Sequence, residues 1–150
     1  MCKALAVKVM TEIYYQDTNW VVPELVGQKC ISLFGLTYDN SDTHPEILFF
    51  EFNDMRWHRC YVDPHIGFWD ETKIDYLDDI ISGDYEGSRK VDYLKLYGLY
   101  DQPIEKIWCQ RDSNSTFISI AFSTGVIEFR EFDDENKYSE ILFISSEYKG

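Results

Sequence analysis

The residues best suited to chemistry lie close together at His58-Arg-Cys60-Tyr-Val-Asp63-Pro-His65. On an extended chain His58 and Cys60 point to one face, and Asp63 and His65 follow in a turn, offering the nitrogen, sulfur and oxygen ligands that zinc takes. Their spacing matches no metal motif, and structural zinc sites usually hold more thiolates. No metal and no cofactor is therefore expected, with His58, Cys60 and His65 the residues where a metal would have to bind. Nucleophilic catalysis has no better footing. There is no Gly-x-Ser-x-Gly, no phosphate-binding glycine loop, and only three histidines to act as bases. Carboxylate pairs such as Glu128 with Glu131, or Asp133 with Asp134, are what any acidic chain contains. The expectation is a protein that is not an enzyme.

The elements that would position these side chains are mostly strands. From Thr116 to Phe132, Ile118, Ile120 and Phe122 alternate on one face, a connection containing Gly125 follows, and Ile127 and Phe129 return in phase, which is the pattern of a β-hairpin. A second hairpin joins Ile47–Phe52 to Arg56–Val62 across Asn53-Asp54-Met55. Residues 4 to 15, Trp20–Val22 and Cys30–Phe34 read as further strands. The run Ile141–Ile144, apolar on both faces, suits an interior strand. Arg89–Tyr100 fits either period, and strand is preferred.

One helix is expected near 72 to 82. Ile74, Leu77 and Ile81 repeat at helical spacing, Asp70 or Thr72 can cap the start, and Gly83 can close the end. The fold class is thus α+β, mainly antiparallel β, with two meanders whose likeness suggests an internal duplication. A length of 150 residues suits a single domain, 1-150, and 10 Phe, 11 Tyr and 4 Trp supply ample area to bury.

The N-terminal apolar run is too short, and too interrupted by Lys8, for a signal peptide or membrane span, so a cytoplasmic location is expected. Cys2, Cys30, Cys60 and Cys109 form no CxxC pair and are expected to be reduced thiols, the last three inside strand-like runs.

Charge is the strongest functional signal. Asp and Glu number 27 against 14 Lys and Arg, a net −13, and residues 39 to 86 alone hold thirteen acids against three bases. Such a field repels phosphate backbones and anionic membranes, which excludes direct nucleic-acid or membrane binding, and it attracts a basic protein. On the expected helix, Glu71, Asp75, Asp78 and Asp79 cluster opposite the apolar stripe. Like charges so spaced cost their own helix a few tenths of a kcal/mol each, so the stripe is a candidate interface. Asp133, Asp134 and Glu135 form a second acidic group. Trp57, Trp69 and Tyr76 flank the acids as apolar anchors, Trp69 before Trp57, whose place in a strand favours the core.

The pattern Ile118-x-Ile120-x-Phe122-x-x-Gly125-x-Ile127-x-Phe129, followed by Asp133-Asp134-Glu135 and the run Ile141–Ile144, resembles hairpins of small bacterial immunity proteins, the inhibitors encoded beside polymorphic or contact-dependent toxins. The resemblance covers about the last fifty residues. It implies a cytoplasmic protein that binds a cognate toxin domain, often a basic nuclease, and blocks its active site. It assigns no individual residues. Two other classes fit the composition: a small-ligand-binding or hydrolytic β-barrel with an aromatic-lined cavity, and an acidic subunit of a larger assembly.

Overall fold

A computed structural model describes residues 13 to 146, apart from 73 and 84. The chain is mainly antiparallel β, in two sheets. Sheet A has the order β1-β6-β5-β4-β3-β7, from β1 (Tyr14–Asp17), β3 (Cys30–Thr37), β4 (Ile47–Phe52), β5 (Trp57–Val62), β6 (Gly67–Thr72) and β7 (Arg89–Asp92). Sheet B has the order β11-β10-β9-β8-β2, from β2 (Trp20–Val21), β8 (Lys106–Arg111), β9 (Ser115–Phe122), β10 (Gly125–Phe132) and β11 (Glu140–Ser145). Each sheet is built on a four-stranded meander, β3 to β6 and β8 to β11. The two meanders therefore share one topology, each a strand longer than the sequence suggests.

Side-chain alternation decides the layers. Leu48, Phe50 and Phe52 of β4, with Cys60, Val62 and Trp69, face Ile107, Cys109, Ile118, Ile120, Ile127 and Phe129 of sheet B in one core. The intervening residues Phe34, Leu36, Ile47 and Phe49 point to the other side of sheet A and meet Leu77 and Ile81 of helix α1 (Ile74–Gly83). The helix starts two residues later than expected and ends at the expected glycine. The layers are thus helix, sheet and sheet. Among the described residues the outermost strands of each sheet do not pair with one another, so neither sheet closes into a barrel there.

Other departures have local causes. Residues 4 to 12 of the expected first strand, and Cys2, lie outside the described residues; β1 begins at Tyr14. The strand β6 shows no clean alternation in the sequence, because the acidic Glu71 takes the same face as the buried Trp69. Arg89–Tyr100 is strand only to Asp92, whose carboxylate accepts from the Lys95 amide at 3.1 Å and starts a short helix, α2 (Tyr93–Tyr97), closed by Gly98 at φ 66°. The run Ile141–Ile144 is an edge strand, not an interior one: Ile141 is buried, but Leu142 and Ile144 remain exposed on the open face of sheet B. The thiols of Cys30, Cys60 and Cys109 are free and buried.

Candidate functional site

Register places the acid-bearing loops at one end of the sandwich. Leu36 pairs with Ile47, Val62 with Gly67, and Thr37 with Arg89, so the 38–46 and 63–66 connections lie together at one end of sheet A. In sheet B, Ser115 pairs with Phe132 and Arg130 with Glu140. The two ends are tied by bonds between the sheets. The Thr116 hydroxyl donates to the His65 carbonyl at 2.8 Å, and the Ile141 amide donates to the Thr43 carbonyl at 2.9 Å.

This end gathers carboxylates that are distant in sequence. Asp39, Asp42 and Glu46 come from the first loop and Asp63 from the second, with Asp112 beyond β8 and Glu131, Asp133, Asp134 and Glu135 at the end of β10. Some are neutralised. Asp42 pairs with Arg89 at 2.9 Å, and Asp112 with Arg130 at 2.5 Å. Asp133 accepts from both Arg111 nitrogens, at 2.8 and 2.5 Å, and from His65 Nδ1 at 2.8 Å. The Arg111 hydrogen bonds, with help from His65, hold the Asp133 carboxyl below its ordinary range. Among the described residues no ion-pair partner faces Glu46, Asp63, Glu131, Asp134 or Glu135.

A cleft of about 220 Å³ opens between the β5–β6 turn and the β10–β11 connection, lined by Asp63, His65, Glu131, Asp133, Glu135 and Lys137 among others. His65 adopts a left-handed backbone, φ 71°, which brings its ring to Asp133. Glu131 is half-buried. Burial first, then the Glu46 and Asp63 charges, raise its carboxyl to about 7.

Several sequence-predicted residues fall elsewhere. Trp69 is fully buried in the core, its Nε1 donating to His58 Nδ1 at 3.1 Å, so it is no surface anchor. It faces inward because its position in β6 has the parity of Gly67. Trp57 is only partly buried and packs edge-on against Phe34 beneath α1. Glu71 is not on the helix: it lies in β6, pairs with Arg56 at 3.1 Å and accepts from the Ile13 amide at 3.0 Å. Asp78 and Asp79 are exposed on α1, whereas the side chains of Asp75 and Tyr76 lie outside the described residues. The four-acid stripe is therefore broken at Glu71. Asp134 and Glu135 are exposed, and only Asp133 is drawn into ion pairs.

The metal candidates do not converge. His58 and Cys60 face the core, whereas His65 stands half-exposed beside Asp133. Among the described residues no three His, Cys, Asp or Glu side chains are grouped to hold a metal. Burial pushes His58 down to about 4, keeping it neutral, and its Nε2 proton has no partner among the described residues. Burial likewise pushes the Cys109 thiol up to about 12, far from the thiolate that reactivity requires. No helix among the described residues is long and apolar enough to cross a membrane.

Glu131 is the residue that sequence reasoning missed. Its only signal is its place one residue before the end of a hairpin arm, with acids on both sides. Compared with known proteins, the chain finds no match among family models, curated proteins or solved structures.

Proposed function

We propose that the protein is an acidic inhibitor of a basic protein, acting as immunity proteins act on nuclease toxins: its carboxylate-rich end covers a cationic active site and stands in for phosphates. Glu131 carries this reading. A carboxyl raised to about 7 by burial and by two neighbouring acids, with no ion-pair partner among the described residues, is a group whose charge a partner's Lys or Arg would stabilise. Asp63, Asp134 and Glu135 extend the same surface and steer the approach. The loops, more than the helix, take the leading role, with Asp78 and Asp79 a second contact. The setting is the cytoplasm, the partner is a cognate toxin domain, and no cofactor is needed.

The test is a pull-down from native lysate at low and high salt, followed by an activity assay of the protein retained. A single basic protein, held at low salt and released at high salt, is expected to lose its activity when the wild-type chain is added. The Glu131→Lys, Asp134→Lys, Glu135→Lys variant is expected not to inhibit it. Retention of no basic protein, or equal inhibition by that variant, would overturn the proposal.

A further inference from the structure

The opposite charge pattern occurs at one edge of sheet A. The two sheets have four outermost strands, β1, β2, β7 and β11, and of these only β7 carries basic residues, Arg89 and Lys90. Among the described residues no strand pairs with its outer side. An open row of backbone donors and acceptors is a template for another chain, and sheet edges are ordinarily blunted by charge, bulges or cover.

Two clefts flank this short strand. One, of about 430 Å³, runs beside it past Asp42, Arg89, Lys95 and Leu96. The other, of about 300 Å³, opens where β7 stops: β7 pairs with β3 only from Phe34 to Thr37, so among the described residues Ile31, Ser32 and Leu33 have no strand partner on that side. The chain leaves the sheet there because Asp92 caps α2. Ile31, Leu96 and Tyr100 stand about half exposed around the strand. Lys90 lies over the Phe34 ring at 4.2 Å, and neither it nor Lys95 has a carboxylate partner among the described residues. Arg89 is offset by Asp42, at 2.9 Å, and by the neighbouring Asp39, which leaves Lys90 and Lys95 beside Asp92 as the cations of this edge, in a protein of net charge −13. Salt screens the overall field within about 8 Å, so the local sign decides which segment can lie here.

We infer that the β7 edge receives an extended acidic segment of a partner protein as the next strand of sheet A. Backbone hydrogen bonds to β7 supply the pairing, carboxylates on alternate residues meet Lys90 and Lys95, and an apolar side chain enters the cleft beside Ile31 and Tyr100. This surface is separate from the acidic end and takes a partner of opposite charge.

The test uses the full chain, isotopically labelled, and a fluorescent seven-residue peptide of alternating glutamate and valine. Saturable binding is expected, with amide shifts at Arg89–Asp92 and Ile31–Leu33. The Lys90→Glu, Lys95→Glu variant, whose changes are on exposed side chains, is expected to bind at least about tenfold more weakly. The same peptide, N-methylated on alternate backbone nitrogens, keeps its charge but cannot pair, and is expected not to bind. Absence of binding at about 1 mM wild-type chain would overturn the inference. So would equal binding of the N-methylated peptide, which would reduce the contact to ion pairing, or shifts confined to other surfaces.

Discussion

Glu131 shows how little a single residue's chemistry owes to its sequence neighbours. In the chain it is one glutamate among many, and its spacing from Glu128 is uninformative; what changes it is the fold, which lays Glu46 and Asp63 beside it and removes part of its water. The sign of the consequence follows from proton counting. With its carboxyl raised from 4.5 to about 7, the folded state holds a proton that the unfolded state has released between those pH values, so this residue's contribution to stability falls as pH rises through that window and its penalty is complete above about 7. Glu131→Gln should therefore leave stability nearly unchanged at pH 4.5 and raise it at pH 8, by on the order of 1–2 kcal/mol once the water still reaching the carboxyl is discounted. Urea unfolding at the two pH values measures this; an equal effect at both would show that ionisation is not the cause. Trp69 gives the converse lesson. An aromatic beside acids reads as an anchor until the strand that carries it is known, and its inward parity then puts it against Phe50 and His58.

At the scale of elements, strong periodicity was legible and mixed periodicity was not. The β9–β10 hairpin has the inward faces its alternation dictates, and α1 buries Leu77 as its spacing requires. β6 was missed because its outward residues, Asp70 among them, make ion pairs that only the neighbouring strand reveals: Arg59 of β5 meets Asp70 at 2.7 Å. β11 was misplaced because Leu142 and Ile144 face outward uncovered, so burial on both sides was the wrong inference from their apolarity. The junction between the sheets depends on a position that sequence alone would treat as a turn glycine. A Cβ at Gly67 would collide with the Cys109 sulfur, which closes the core between β6 and β8, and Trp20 Nε1 donates to the Gly67 carbonyl at 3.0 Å from the same side. Gly67→Ala is expected to cost about 1–3 kcal/mol by overpacking. Adding Cys109→Ala makes room, so the double variant should be more stable than the sum of the single effects predicts. Additive costs in a double-mutant cycle would place the strain elsewhere.

For the whole molecule, the net charge was readable from composition, but its distribution was not. Counting along the chain points to residues 39 to 86, and hence to the helix. Folding instead withdraws Glu71 into an ion pair and collects Glu46 and Asp63 with the acids that follow β10, because the connections of both sheets meet at one end. A surface that concentrates like charges destabilises the compact state, and added salt screens the repulsion. Stability should therefore rise between low salt and about 0.3 M sodium chloride, a range over which the screening length falls from about 30 Å to under about 8 Å. The origin of that rise can be located. Asp63→Asn, Asp134→Asn and Glu135→Gln together should remove much of the salt dependence, whereas Asp78→Asn with Asp79→Asn should remove less, since those two are exposed on α1 and outside the cleft that gathers the loop acids. Thermal unfolding across a salt series distinguishes the cases: if the helix pair flattens the dependence and the loop set does not, the charge that a basic partner meets first lies on α1 and the acidic end is secondary.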